Sequence, residues 1–299
     1  MAFVGIELGG TKVVIARGSQ PEDLSETLRV PTTTSEATLA GTIAAIHALV
    51  AQYGAIDGIG IASFGPIAVS PVSEAYGRYL NTPKPGFSHF DLLTPLRAAF
   101  PNIALTLDTD VNGAAIAEGL WGAALALNSY AYITVGTGIG VGLVSQGLPV
   151  HGLLHPEAGH ILIRRNLQAD PYPGLCPFHG DCLEGLASGP AIAARLGMAG
   201  EAIAVEHPIW DLAASYIAQL CYNLVLIASP ERIMLGGGVG SLPQVLEGVR
   251  SHLHHLMGTY IEALSDRMTY ERFVCAPGLG DRAGVLGAIA LARRTAALG

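Results

Sequence analysis

Charge is scarce in this chain of 299 residues, where only 13% are Asp, Glu, Lys or Arg. Basic residues are scarcer still, 16 against 24 acidic ones, for a net charge of −8. That balance speaks against a nucleic-acid binder, which presents a basic face. It does not exclude an anionic substrate, because backbone N–H groups hold phosphate without basic side chains. Cysteines number four. Cys221 and Cys275 stand alone and read as core residues of an intracellular protein. Cys176 and Cys182 flank His179, which is metal spacing rather than half of a disulfide framework. No basic region or small-residue cleavage site follows Met1, so a secretory signal is not expected and a cytoplasmic location is. From Gly119 to Pro156 there is no charge at all. A membrane-spanning helix wants about 20 predominantly apolar residues. Here Asn128, Ser129, Thr134, Thr137, Ser145, Gln146 and several glycines interrupt, so a buried strand pair is expected and no membrane partner. What abounds is apolar residue, 50%, and glycine, 38 positions. The first predicts a substantial core, the second many tight turns or close backbone approaches.

Strands alternate with helices along the chain. Phe3–Leu8 and Val13–Ala16 read as strands around the turn Gly9-Gly10-Thr11-Lys12. The pattern returns at Tyr132–Leu143 around Gly136-Thr137-Gly138, at an offset of 126 residues, which suggests two related halves. Between them the spacing predicts a helix at 36–52, a strand at 58–64, a loop at 65–90, a helix at 91–100, a strand at 103–107 and a helix over 112–121. A Pro/His/Cys-rich insertion follows at about 149–184. Helices are then expected at 189–196 and 208–228, a strand at 231–235, the loop Gly236-Gly237-Gly238, a helix at 241–256, a strand near 271–275 and a last helix. This alternation indicates an α/β sheet protein.

The two glycine turns carry the first chemistry. Thr11 precedes Lys12 and a strand follows, so this is not a Walker A loop, which needs Gly-Lys-Ser/Thr leading into a helix. Each turn fits an ordinary hairpin and equally a backbone nest that holds phosphate. One per half, facing across a cleft, would clamp the β- and γ-phosphates of a nucleotide. Asp108 and Asp110 follow an apolar strand and start a helix. A carboxylate there fits a helix cap or a general base that takes a proton from an attacking hydroxyl. Cys176, His179 and Cys182 place three possible ligands within seven residues, and His160 lies sixteen before Cys176. A structural zinc site wants four such ligands, with His151 and His155 as rivals for the fourth.

Gly9-Gly10-Thr11-Lys12 together with Gly136-Thr137-Gly138-Ile139-Gly140 resembles the actin-like ATPase superfamily and, more narrowly, the ROK family of sugar kinases and repressors. The resemblance covers nearly the whole chain. It implies an α/β, actin-like (ribonuclease H-like) fold of two α/β domains with a cleft between them. The small domain would span 1–112 and the large one 113–299, with the last helix packing back on the small domain. It implies Asp110 as the base, with Asp108 structural, and Thr109 stands where the family often has Asn. Glu7 stands at the family's usual Asp and would help hold Mg²⁺. His160, Cys176, His179 and Cys182 match the family's zinc motif, His179 replacing a common Cys, and would hold a structural Zn²⁺. Glu157, His160 and Glu184 match sugar contacts. Gly65, Pro66, Asn81 and Thr82 look like sugar-side loops. For ATP the resemblance favours Gly9, Gly10, Thr11, Lys12, Thr137, Gly138, Pro190 and the loop Gly236, Gly237, Gly238. The segments Ser63–Pro66, Thr82–Gly86, His155-Pro156-Glu157 and Cys176–Pro190 look like the bacterial fructokinase branch. The implied activity is ATP-dependent phosphorylation of a free hexose, most readily fructose to fructose 6-phosphate, in a homodimer. Glucose, mannose or another hexose is the alternative, as is a sugar-binding regulator. The family's repressors carry an added helix-turn-helix, and the phosphate hairpin beginning at Phe3 is not expected to leave room for one.

Overall fold

The computed structural model describes residues 1–296. The chain divides into two compact units. The first holds Met1–Ala126, Pro149–His155 and the residues from Leu279 on; the second holds Leu127–Leu148 and Pro156–Gly278.

The first unit is built on strands β1 (Phe3–Leu8), β2 (Lys12–Gly18) and β3 (Leu28–Pro31), helix α1 (Ser35–Tyr53), strand β4 (Gly58–Ser63), helix α2 (Leu93–Ala99), strand β5 (Leu105–Thr109) and helix α3 (Asp110–Trp121). Its sheet runs β3-β2-β1-β4-β5, with β2 antiparallel to β1 and both β4 and β5 parallel to it. Both faces are covered, so the strands are nearly continuous apolar runs rather than alternating ones. Val4, Ile6, Leu8, Val13, Ile15, Ile59 and Ile61 point to one face and meet Ile46 and Leu49 of α1. Phe3 and Ala62 point to the other, toward the C-terminal helix Ala283–Ala296. That helix lies against β1, β4 and α3.

Glycine makes this approach possible. A methyl group added at Gly60 would overlap the carbonyl oxygen of Ala288, and one at Gly5 would lie 2.6 Å from that of Val285. Helix backbone therefore rests directly on sheet backbone. Gly60→Ala is expected to cost about 1–3 kcal/mol, as overpacking usually does. The check is a lower urea midpoint with unchanged slope.

The second unit repeats the plan. Its elements are β6 (Tyr130–Val135), β7 (Ile139–Ser145), β8 (Leu148–Pro149), α4 (Leu183–Ala187), α5 (Gly189–Leu196), α6 (Ile209–Ala228), β9 (Arg232–Gly236), α7 (Gly237–Gly240), α8 (Pro243–Met257), α9 (Tyr270–Phe273) and β10 (Val274–Cys275). The strand order β8-β7-β6-β9-β10 is that of the first sheet. The hairpins differ by one residue. Leu8 pairs with Val13 across four turn residues, and Val135 pairs with Ile139 across three. The offset of 126 read from the sequence therefore holds for the second strand of each hairpin and becomes 127 for the first.

The stretch without charge, Gly119–Pro156, forms the end of α3 and the strands β6–β8. One described helix, α6, is long and apolar enough to cross a membrane by length and composition. Its Ala214, Ile217, Leu220 and Cys221 are core residues of the second unit.

Five elements depart from expectation. Strand β3 was missed, because Leu28–Pro31 is a four-residue edge strand ending in proline. Strand β5 ends at Thr109, not 107, and α3 starts at Asp110, not 112. Thr109 caps it, its Oγ1 accepting from the Asn112 amide at 3.2 Å. Gly237–Gly240 is a helical turn where a loop was expected. The strand expected at 271–275 is mostly helical turn, since Tyr270 and Phe273 are both buried at helical spacing. The contact division at Ala126 also lies beyond the boundary expected at 112, because α3 packs on the C-terminal helix of its own unit.

Candidate active site

Ligands of open α/β sheets bind outside the carboxyl ends of the parallel strands. In the first unit those ends carry the turn Gly9–Lys12 after β1, the loop Ser63–Pro66 after β4 and Asp110 after β5. The turn's carbonyls are occupied. Gly9 O accepts from Thr32 Oγ1 at 2.8 Å, Thr11 O from the Thr32 amide at 3.0 Å and Lys12 O from the Gly9 amide at 3.0 Å. Among the described residues the amides of Gly10 and Thr11 have no partner. Carbonyls turned inward with amides left over make an anion nest.

Asp108 and Asp110 are told apart by their partners. Asp108 is buried and saturated. Its Oδ1 accepts from the Thr109 amide at 2.7 Å and from Asn112 Nδ2 at 2.8 Å, and its Oδ2 lies 3.0 Å from His151 Nε2. Asp110 is part-buried, and only its Oδ1 is engaged, by the Val111 amide at 2.8 Å. Burial pushes its carboxyl up to about 6. Glu7 sits on the sheet face toward the C-terminal helix, where Gly284 makes room for its carboxylate. Burial first, then the charge of Asp110, pushes Glu7 up to about 7, against the pull of Lys12.

The loop after β4 is held from below. Ser63 Oγ and Tyr79 Oη lie 2.7 Å apart, and Phe64, Tyr79 and Phe87 pack together. Thr82 is buried and its Oγ1 donates to Gly65 O at 3.1 Å. Asn81 is exposed. His155 packs its ring against Gly65, and His151 bonds Asp108, so neither rival joins the metal cluster.

In the second unit the turn Gly136–Gly138 follows β6, and Gly236–Gly238 follows β9. Gly237 needs to be glycine: its φ is +85°, and a methyl there would lie 2.5 Å from Val135 O. Glu184 Oε2 accepts from the Ile139 amide at 2.8 Å, and Gly136 O accepts from the Gly189 amide at 2.8 Å, next to Pro190. Thr137 is exposed at the tip. Glu157 is exposed and leads into the turn Ala158–His160.

The ligand atoms of His160, Cys176, His179 and Cys182 all lie within 4.8 Å of one another. His160 Nδ1 is 3.4 Å from Cys182 Sγ and 3.7 Å from Cys176 Sγ, and His179 Nδ1 is 3.7 Å from Cys176 Sγ. Tetrahedral zinc, with bonds of about 2.0 Å to nitrogen and 2.3 Å to sulfur, separates its ligand atoms by roughly 3.3–3.8 Å. The donor set fits. His160 Nε2 lies 3.9 Å from Glu184 Oε1, so the cluster and the second glycine turn share a neighbour.

Sequence reasoning missed Gly284, which seats Glu7, and Glu118. Glu118 is fully buried and its carboxylate accepts from the amides of Ala123 and Leu279. An acid six residues past Asn112 in an apolar helix was the available signal for the second. For Gly284 there was none.

Two sheets of one strand order, each with a glycine turn at the carboxyl end of its first strand, define an actin-like ATPase fold. The chain belongs to the ROK family, which it matches over residues 3–295. It is 41% identical to a fructokinase of Zymomonas mobilis over 290 residues, covering 96% of this chain and 95% of that one. It is 38% identical to a fructokinase of Pediococcus pentosaceus, with 98% of each chain covered. The solved ROK hexokinase of Thermus thermophilus superposes with a TM-score of 0.75 at 26% identity, covering 100% of both chains.

Proposed function

We propose that this protein is an ATP-dependent fructokinase that transfers the γ-phosphoryl group of ATP to O6 of fructose. The observation that supports it best is a run of fructokinase relatives, 41% and 38% identical over nearly the whole length, joined to an Asp110 carboxylate with one unengaged oxygen. Asp110 would take the proton from the sugar hydroxyl as its oxygen bonds to the γ-phosphorus and the bond to the ADP oxygen breaks. The amides of Gly10 and Thr11 would hold phosphate oxygens, as would the turn Gly136–Gly138. Glu7 would help hold Mg²⁺, whose charge offsets that of the phosphates. Gly65, Pro66, Asn81, Thr82, Glu157, His160 and Glu184 are proposed sugar-side residues, with Glu184 also bracing the turn before Ile139. Pro190 and Gly236–Gly238 are proposed for the adenosine side. His160, Cys176, His179 and Cys182 would hold a structural zinc, and the working assembly would be a homodimer.

The test couples product formation to phosphoglucose isomerase, which accepts only the 6-phosphate, beside direct ADP release with fructose, glucose, mannose and N-acetylmannosamine. Fructose is expected to give the highest kcat/KM in both. ADP release with another hexose alone would move the specificity, and none with any sugar would end the kinase reading.

A further inference from the structure

The sequence contains only two lysines, Lys12 and Lys84, against fourteen arginines among its 16 basic residues. They are 72 positions apart, and the fold brings both to one turn. Lys12 closes the first glycine turn. Lys84 reaches it from the segment Thr82-Pro83-Lys84-Pro85-Gly86, where its Nζ donates to Gly10 O at 2.6 Å and to Thr32 O at 3.5 Å.

The side chain is part-buried, and among the described residues no carboxylate pairs with it. A charge withdrawn from water wants an opposite charge. Two carbonyl oxygens orient this ammonium without neutralising it. An ammonium has three donors, so one remains beyond these two carbonyls, at the turn whose Gly10 and Thr11 amides have no partner among the described residues. The stem is also fixed. The Lys84 amide donates to Thr82 Oγ1 at 3.3 Å, Thr82 Oγ1 donates to Gly65 O, and prolines on both sides restrict the backbone.

We propose that Lys84 is a phosphate-binding cation of the nucleotide site, placing positive charge at the Gly9–Lys12 turn for the polyphosphate of ATP. The identity of the anion rests on the kinase reading above. The plain alternative is a tie between two loops, which a neutral donor would serve equally. A fixed ammonium on a turn with free backbone amides would strengthen a phosphate site, because charge-assisted hydrogen bonds exceed neutral ones.

The contrast between Lys84→Gln and Lys84→Arg separates the two. Mg-ATP binding is measured by calorimetry without sugar, so the result stands apart from turnover. Lys84→Gln is expected to weaken ATP binding at least tenfold, and Lys84→Arg to keep it within threefold. The KM for ATP should follow, while the KM for fructose stays within threefold. Equal affinities in the two variants, whether both intact or both reduced, would overturn the proposal. The wild-type protein gives a check that needs no variant. Saturating Mg-ATP is expected to slow acetylation of Lys84 at least fivefold, read by peptide mass spectrometry. Unchanged labelling of Lys84 by bound ATP would overturn it too. Sugar-independent ATP binding with this lysine signature, but no turnover, would sink the fructokinase reading and leave this one standing.

Discussion

Asp110→Asn is expected to lower fructose-dependent turnover by about 10²–10⁴-fold, the usual worth of a general base. The substitution keeps the shape and the acceptor that takes the Val111 amide, so fructose binding should survive. The wild-type pH profile should carry the same signature. Burial raises Asp110 from 3.8 to about 6, and a base acts only when ionised, so kcat/KM should climb as pH rises through about 6. Stability should move the opposite way. The folded state holds this proton more tightly than the unfolded chain, so ionisation costs stability as pH rises from about 4 to about 6, and the cost persists above that. It is worth at most about 3 kcal/mol. Asp110→Asn removes it, and the variant should melt higher than wild type at pH 7 and equally near pH 3. A variant that turns over normally, or melts lower at pH 7, would place the base elsewhere.

Removal of the metal should have the second largest effect. Elemental analysis is expected to find one zinc per chain, absent in Cys182→Ser. The segment that brings two sulfurs and two nitrogens together has few regular ties, chiefly the isolated Cys176–Gly180 bridge and the single bonds from Leu175 to Gly185 and from Leu183 to Ile161. Metal binding energy is folding energy where no site exists beforehand. Loss of about 4 kcal/mol would lower the melting temperature by roughly 6 °C in a protein of this size. Because Glu184 contacts both the Ile139 amide and the neighbourhood of His160, the loss should also raise the KM for ATP. A fully active, metal-free protein with unchanged melting would refute the structural role.

Much of the site was legible in the chain because its chemistry is local. A glycine turn between two strands, an aspartate at a strand-to-helix junction and a Cys-x2-His-x2-Cys run each announce themselves within a few residues. Their physical basis is short-range: turn dihedrals, capping and ligand spacing. The alternation of apolar strands with helices likewise implied an α/β fold, since covered sheet faces demand apolar runs. Local reasoning failed where the answer depended on another segment. Edge strand β3 exists because β2 offers it a ladder. Glu118 is satisfied by Leu279, 161 residues away.

The sequence by itself therefore singled out two glycine turns, a cluster of His and Cys that could hold a metal, and two candidate carboxylates. Only the tertiary structure gave those carboxylates different surroundings, because burial and hydrogen-bond saturation of Asp108 come from Asn112 and His151 folding onto it. It also decided where Glu7 sits, since Gly284 yields that space only once the C-terminal helix lies on β1. And it carried Lys84 to Gly10, across a gap in sequence that no local pattern spans.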